Sequence, residues 1–274
     1  MKFLIPLLFS FSTLFAFDVG NGKSVLLSLD TPKGIIITPD KNITVLPQPL
    51  HPHLGFILFP VDYHTPPQKT AIQWNTQEGN FSLDVTILQA SYPTEILTVD
   101  RAKVTPPPEM LARIEQEKEE AEKIYATYNT TRYWDKPFIR PIESITTSEY
   151  GSARTYNGVL KSYHGGVDFR AKTPLPIRAS NDGIVVLAKD RYYSGGTVIL
   201  DHGEGLYTCY FHLSQFEVKV GDKVTRGQEL GLSGATGRIT GPHLHFGVMV
   251  HGIQTDPIYL LSQINYLFDP TFSF

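Results

Sequence analysis

The strongest constraint on the fold is a dense series of strand-like segments between residues 140 and 260. Apolar, β-branched and aromatic residues fill residues 183–188, 196–200 and 206–211, and glycine-rich turns separate these segments. Such short runs bounded by turns are typical of β-strands. No strong amphipathic helix lies between them, which argues against a parallel βαβ arrangement. We therefore expect an antiparallel β domain over this part of the chain.

Residues 18–100 carry a second series of strand patterns. In the clearest of them, Phe81, Leu83, Val85 and Ile87 alternate with polar or small side chains. This alternation is typical of a half-buried strand, and Gly, Pro and Asn punctuate the region at the spacing of a small sandwich. We predict a mainly β chain in which residues 17–104 form a small β-sandwich-like N-terminal domain.

The segment between the two β regions has a different composition. Three prolines at 106–108 end the first region, and residues 109–128 then predict a helix with a charged centre. Its apolar stripe is only partial, which is typical of a helix with a solvated face. We assign residues 105–136 to a linker helix. The C-terminal antiparallel β domain is then expected over residues 137–262, followed by a C-terminal tail at 263–274.

The N-terminus resembles a secretory signal peptide. Lys2 precedes an almost wholly apolar run over residues 3–17, and the small Ala16 offers a cleavage position. The run is shorter than the roughly 20 apolar residues that a membrane span needs. We predict a signal peptide at 1–16 and a periplasmic mature protein without a stable membrane span, with a buried strand or an uncleaved anchor as the alternatives.

Charge and cysteine content narrow the possible functions. The chain has 24 Lys and Arg and 27 Asp and Glu, a net charge of −3, without a basic block. Nucleic acid is therefore not expected as a partner. The single cysteine, Cys209, excludes an internal disulfide and a multi-cysteine zinc site. With nine histidines present, we expect any metal site to use histidine and carboxylate ligands.

Two histidine motifs point to such a site. In the first, His164 and Asp168 flank two glycines, and a turn that feeds a strand can bring both side chains to one place. In the second, His243 and His245 alternate with apolar residues, so that on a strand both imidazoles lie on one face. Gly247 follows on the same face, where we expect space for a substrate.

A third contribution comes from residues 207–212. Strand alternation places His212 on one face with Thr208 and Tyr210, and we expect this face to point at the site. Cys209 falls on the opposite face and is expected to be a small core residue rather than a nucleophile. The other histidines fit loops, turns or strand ends: His51, His53, His64, His202 and His251.

Zinc chemistry fits these groups. A catalytic zinc typically takes three protein ligands and one water, and it lowers the pKa of that water to about 7. Two histidines and Asp168 supply such a ligand set, which leaves further histidines to orient water and move protons. The spacing alone leaves open which of His243 and His245 binds the metal.

An ordered series of motifs runs from Thr147 to Pro257. The segments are SEYG at 148–151, HGGVDF at 164–169, DGIV at 182–185, GTVILDHG at 196–203, YFHL at 210–213, VGDKV at 220–224, TGPHLHF at 240–246 and DP at 256–257. This series strongly resembles the LytM/lysostaphin-type zinc metallopeptidases of bacterial cell-wall remodelling. More weakly, residues 17–104 resemble the β-rich regulatory domains of epsilon-proteobacterial cell-shape peptidases.

The resemblance implies one zinc ion per chain, held by His164, Asp168 and His245, with His212 and His243 as the non-ligand catalytic histidines. It also implies an endopeptidase whose substrate is a crosslinking peptide of peptidoglycan, with a role in wall remodelling or cell shape. No glycine-bridge recognition domain follows the peptidase motifs. We therefore expect cleavage of D-Ala to meso-diaminopimelate bonds, with D,D-carboxypeptidase activity as a possible addition.

Two other functions fit parts of the sequence. Degenerate relatives in this family resemble non-catalytic wall-binding activators of another hydrolase, but all five chemical positions are filled in this chain. Residues 218–228 are similar to the hairpin of biotinyl and lipoyl carrier domains. A carrier needs a modifiable lysine at a tight turn, and the sequence has no such lysine at that place.

Overall fold

The computed structural model describes residues 16–29, 34–37, 42–76, 79–172 and 174–270. The predicted signal peptide lies outside these residues except for Ala16, which begins the first strand. The chain divides into two compact units, one from residues 1–91 and 258–274 and the other from residues 92–257. Within the part that the structure describes, no helix is both long enough and apolar enough to cross a membrane.

The first unit is a small β structure, as predicted. Its described strands are β1 (Ala16–Gly20), β2 (Ser24–Leu29), β3 (Gly34–Ile37), β4 (Asn42–Pro47), β5 (Gly55–Pro60), β6 (Gln68–Thr76) and β7 (Gly79–Leu88). They follow the order β1-β7-β6-β3-β4-β5-β2, with β1 parallel to β7 and the other pairs antiparallel. Strand β4 pairs with β3 along most of its length and with β5 at its end, so it joins two sheet segments.

Alternating burial produces the core of this unit. On β7, Leu83, Val85 and Ile87 are buried, whereas Ser82 and Asp84 are exposed, which confirms the period-two prediction there. Residues from both ends of the strand path pack in one apolar cluster. Two layers that share one core are the arrangement expected of a sandwich-like domain.

The second unit carries the remaining strands and the long helix. Its elements are β8 (Thr94–Leu97), α1 (Pro108–Ala126), β9 (Thr146–Ser148), β10 (Ala153–Tyr156), β11 (Leu160–Tyr163), β12 (Val167–Arg170), β13 (Pro176–Arg178), β14 (Gly183–Arg191), β15 (Gly195–Asp201), β16 (Leu206–Phe216), β17 (Lys223–Val224), β18 (Glu229–Ser233), β19 (His243–Val250) and β20 (Ile253–Thr255). The short helix α2 (Pro257–Asn265) follows and lies almost wholly in the first unit.

An antiparallel sheet dominates the second unit, and this confirms the predicted fold class. Its main path is β17-β14-β15-β16-β19-β12-β9, and β18 joins it through β16. A separate three-stranded sheet has the order β11-β10-β8. Strand β8 and the residues up to 104, which the sequence assigns to the first domain, therefore belong structurally to the second unit.

Helix α1 packs on the large sheet of the second unit. It begins at Pro108, where proline is favoured because the first helical N–H has no intrahelical partner. Tyr125 contacts Cys209 of β16, with 3.2 Å between Oη and Sγ. Glu117, alone among the helix residues, is buried, and its carboxylate accepts a hydrogen bond from the backbone N–H of Tyr192 at 2.8 Å. The helix is thus an integral part of the second unit.

Candidate metal centre and catalytic cleft

Three side chains, from two adjacent strands and the turn before one of them, converge on one point. Strands β12 and β19 pair so that Asp168 lies directly opposite His245, and His164 enters from the turn before β12. His164 Nε2, Asp168 Oδ1 and His245 Nδ1 lie 2.9 Å from one another in all three pairs. These residues form a group of donor atoms that is able to hold a metal ion.

The chemistry of the three donors fits zinc. His164 Nδ1 lies 2.8 Å from the carbonyl oxygen of Glu149, which assigns the proton to Nδ1 and leaves the Nε2 lone pair facing the centre. Burial lowers the pKa of His245 to about 4, so its imidazole is neutral. Burial of Asp168 opposes ionisation, but hydrogen bonds to His164 and His245 hold the pKa of its carboxyl well below the usual range. One carboxylate and two neutral imidazoles are a common zinc ligand set.

A half-buried arginine, Arg154, holds the second carboxylate oxygen of Asp168. Arg154 Nη2 donates to Asp168 Oδ2 at 2.7 Å, and Nε donates to Glu95 Oε2 at 2.8 Å. Ser148 Oγ bridges the same network, since it donates to Glu95 Oε1 at 2.6 Å and lies 3.0 Å from His164 Nδ1. Two proposed ligands therefore share one supporting network.

Sequence reasoning missed Glu95 and Arg154. Glu95 reaches the network because β8 pairs in parallel with β10, which sets Glu95 opposite Arg154. An alternating pattern over four residues reveals neither this long-range pairing nor the partner of a single glutamate.

His212 reaches the cleft by a different route from the predicted one. The register pairs Phe211 with His245 and Tyr210 with Phe246, so alternation places Phe211, and not His212, on the histidine face. The prediction that regular strand alternation places His212 on the face of the site is therefore wrong. A shift in the β15–β16 register and a φ of +68° at His212 turn its side chain to the site.

Hydrogen bonds to backbone carbonyls fix the orientation of His212 and of His243. His212 Nδ1 lies 2.8 Å from the carbonyl oxygen of Thr236, and His243 Nδ1 lies 2.7 Å from that of Gly241. A carbonyl only accepts, so each Nδ1 carries the proton and each Nε2 is left as the acceptor nitrogen, with that of His243 3.6 Å from Asp168 Oδ1. The two rings lie 4.7 Å apart, and burial together with the neighbouring imidazoles lowers the pKa of His212 well below its usual value.

Glycine and aromatic residues complete the surroundings of the ligands. A Cβ at Gly166 would lie 2.6 Å from His245 Nε2, so only glycine allows this close approach. Phe211 stacks on His245 with 5.1 Å between ring centroids and 8° between planes. The prediction of space for a substrate beside Gly247 is wrong. Gly247 is buried, and a Cβ there would contact Gly165, Cys209 and His245 at 3.6–3.8 Å.

An open cleft of about 310 Å³ lies beside these groups. Its lining comprises Glu95, Leu97, Val99, Thr147, Ser148, Arg154, Tyr156, Asp168, Arg170, His212, Arg238, Ile239, Thr240, Gly241, Pro242 and His243. His212, His243 and the candidate metal ligand Asp168 thus all face this cleft.

Two other residues singled out from the sequence, His202 and Cys209, are buried and lie outside the cleft lining. His202 is fully buried between the carbonyl oxygen of Asp182 and the hydroxyl of Thr208, at 2.7 Å from each, and burial lowers its pKa to about 4. Cys209 is buried as predicted, and burial raises the pKa of its thiol to about 12. Neither residue lines the cleft.

Part of this sequence is similar to known peptidases. Residues 162–257 match peptidase family M23. The chain is 48% identical over 89 residues to the peptidoglycan DD-endopeptidase ShyA of Vibrio cholerae, a match covering 32% of this chain and 21% of ShyA. It is 41% identical over 123 residues to the glycyl-glycine endopeptidase ALE-1 of Staphylococcus capitis, covering 43% of this chain and 34% of ALE-1. The chain therefore spans about a third or less of these relatives.

Structural comparison agrees with the sequence matches. A crystal structure described as a peptidase M23 from Pseudomonas aeruginosa superposes with a TM-score of 0.67 and 25% identity, over 86% of this chain and 92% of that one. The match to peptidase family M23 and the His–Asp–His donor group support the predicted zinc cofactor. The domain at residues 162–257 therefore matches peptidase family M23.

Proposed function

We propose that this protein is a zinc-dependent endopeptidase that hydrolyses the crosslinking peptides of bacterial peptidoglycan. One observation carries the proposal: three convergent donor atoms lie beside two oriented histidines at the wall of an open cleft. His164, Asp168 and His245 would hold the zinc. When bound, zinc supplies a Lewis acid for the scissile carbonyl and a water of lowered pKa.

The two remaining histidines handle protons and charge. The carbonyl oxygen of Thr236 fixes the proton of His212 on Nδ1, so the Nε2 lone pair is the atom that accepts a proton from the attacking water. The protonated imidazole then returns that proton to the leaving amine nitrogen. His243 Nε2 lies in the same cleft and orients the reacting groups, since its Nδ1 proton is held by Gly241.

The proposed bond joins D-Ala to meso-diaminopimelate. Support comes from the 48% identity to a DD-endopeptidase, although ALE-1, with a glycyl-glycine specificity in its name, is also similar. Digestion of defined dimeric and pentapeptide muropeptides, with mass analysis of the products, tests this proposal. Conversion of dimers to monomers is expected, and loss of terminal D-Ala would add D,D-carboxypeptidase activity. Intact dimers together with cleaved pentaglycine would overturn the substrate assignment.

The alternative is a non-catalytic wall-binding activator of another hydrolase. The complete set of five residues and the convergence of the donor atoms favour the enzyme. Zinc content and hydrolysis by the purified protein separate the two functions, because an activator without activity would bind wall material and leave every muropeptide intact.

Export and regulation are further parts of the proposal. A cell-wall substrate fits a periplasmic location, a signal peptide over residues 1–16 and a role in cell shape. We further propose that residues 17–91 restrain the peptidase. A deletion that tests this should end at residue 91, because β8 and α1 belong to the second unit. A raised rate on soluble peptides is expected, whereas an unchanged rate would assign these residues to targeting or folding.

A further inference from the structure

Two arginines in the cleft take no part in the chemistry described above. The guanidinium of Arg238 lies over the ring of Tyr156 at 4.4 Å and over that of Tyr193 at 4.8 Å. Within the part of the chain that the structure describes, its side chain forms no ion pair or hydrogen bond. Arg154, in the same cleft, instead binds two carboxylates. Arg238 is therefore a cation held in place by aromatic rings with its hydrogen-bond donors unused.

The loop that carries Arg238 is fixed to the catalytic strands. The backbone N–H of Arg238 donates to the carbonyl of Tyr193 at 2.8 Å. Gly237 has a φ of +79°, and a Cβ there would lie 2.5 Å from the backbone nitrogen of Gly195. The carbonyl of Thr236, in the same loop, orients His212. The position of Arg238 relative to the reacting groups is thus set before any substrate binds.

Arg170 is the second arginine of the cleft that takes no part in the network of Arg154. It pairs directly with His243 in the β12–β19 register, so both side chains lie on the same face of the sheet. Its side chain is exposed and lines the cleft. Among the described residues it also has no acidic partner. Two guanidinium groups without an acidic partner among the described residues therefore line the same cleft as His243.

The acidic groups of the cleft do not neutralise these cations. The lining includes two carboxylates, those of Glu95 and Asp168, and Arg154 binds both of them. The remaining positive charge is poorly matched to a neutral glycine bridge. It is well matched to a peptide with free carboxylates, because a guanidinium binds a carboxylate through two parallel hydrogen bonds.

We propose that Arg238, assisted by Arg170, forms a carboxylate-binding subsite that selects peptides with a free carboxylate beside the scissile bond. The inference rests on the proposed peptidase function and extends it to the feature of the substrate that is recognised. Diaminopimelate carries such a carboxylate, and a glycine bridge does not. Tyr156 and Tyr193 keep the guanidinium in place, so little side-chain freedom is lost on binding.

The test compares two substrates that differ only in charge. Crosslinked dimers with free diaminopimelate carboxylates and the same dimers with those carboxylates amidated are incubated with the full-length zinc enzyme. The enzymes are wild type, Arg238→Gln, Arg238→Lys and Arg170→Gln. Arg178→Gln is the matched control, because Arg178 is exposed and outside the cleft lining. Zinc content and melting temperature of each variant report on folding.

We expect Arg238→Gln to lower kcat/KM on the free-acid dimer by about 10- to 100-fold, mainly through KM, because a charge-assisted contact is lost. Amidation of the dimer should lower the kcat/KM of the wild-type enzyme by a similar factor. The Arg238→Gln variant should cleave the two dimers with equal kcat/KM. Arg238→Lys should recover part of the preference, Arg170→Gln should show a smaller loss, and Arg178→Gln should match wild type.

Equal loss on both dimers in Arg238→Gln, or a wild-type enzyme indifferent to amidation, would overturn the subsite. Failure of the proposed function would look different, since neither dimer would be cut. In that event, binding of the two dimers to the zinc-loaded His243→Ala variant by calorimetry still tests the subsite. Tighter binding of the free-acid dimer is expected there, and equal binding would overturn the subsite.

Discussion

The guanidinium of Arg154 donates hydrogen bonds to both Glu95 and the proposed metal ligand Asp168, and so connects the two carboxylates. The Arg154→Lys substitution keeps the positive charge, but an ammonium lacks the rigid fork that reaches two carboxylates at once. One of the two carboxylates should therefore lose its charge-assisted hydrogen bond. If Asp168 loses that bond or shifts with Glu95, its Oδ1 is held less firmly toward the two histidines.

The size of the expected loss of zinc affinity in Arg154→Lys follows from the low exposure of the three side chains in this network. The side chains of Arg154, Asp168 and Glu95 are 11%, 7% and 22% exposed, so water replaces a lost bond poorly. A hydrogen bond to a charged group contributes about 1.5–3 kcal/mol, and about 1.4 kcal/mol corresponds to a factor of ten. We expect zinc to bind about 10- to 100-fold more weakly, the range typical when a partner of a metal ligand is lost. Retained charge should keep destabilisation below the roughly 3–5 kcal/mol of a broken buried pair.

The measurement is a competition between the purified full-length protein and a chromophoric zinc chelator, with circular dichroism to confirm the fold. Arg178→Lys serves as a control, since its guanidinium bonds a backbone carbonyl away from the cleft. Glu95→Gln keeps an acceptor oxygen and should weaken zinc binding less than Arg154→Lys. Wild-type zinc affinity in Arg154→Lys, with the fold intact, would refute the idea that this bridge holds the ligand.

Three further predictions concern single residues of the second unit. Asp168→Ala should lose zinc and activity together, because one of three ligands is removed, and full zinc occupancy in this variant would exclude the assignment. His212→Ala and His243→Ala should keep zinc and lose about 10²- to 10⁴-fold in kcat, the usual effect of removing a general acid–base group. Loss of zinc from His243→Ala with retention in His245→Ala would mean that the two roles are reversed. Cys209, with a pKa raised to about 12 by burial, should react with a thiol reagent at pH 8 only after unfolding, and rapid reaction of the folded protein would contradict its burial.

Local patterns predicted the parts of the fold and site that depend on neighbours in sequence. Period-two alternation placed His243 and His245 together, and Leu244, Phe246 and Val248 are fully buried behind them. The prediction worked because β19 is a regular central strand with one face in the core. The antiparallel domain was predictable for the same reason, since each strand is short, apolar and bounded by turns.

Features that depend on distant pairing escaped prediction. Glu95 lies in a strand of four residues whose burial alternates between exposed and half-buried, a pattern that many loops share. Its role appears only when β8 pairs with β10, which are 59 residues apart at Glu95 and Arg154. The face of His212 was mispredicted because a register shift between strands leaves no mark in an alternating sequence.

The irregular geometry at His212 has a functional reason. In a regular strand, two successive side chains point to opposite faces, yet Phe211 stacks on His245 and His212 lies against His243. A left-handed backbone at a histidine costs about 1–2 kcal/mol, so other contacts must offset it. The N–H of His212 donates to the carbonyl of Ser194 at 2.9 Å, and its Nδ1 is bound by the carbonyl of Thr236. The strained residue thereby lets one strand support the proposed metal ligand His245 and present the proposed proton acceptor His212 at the same time, which an unbroken strand cannot do.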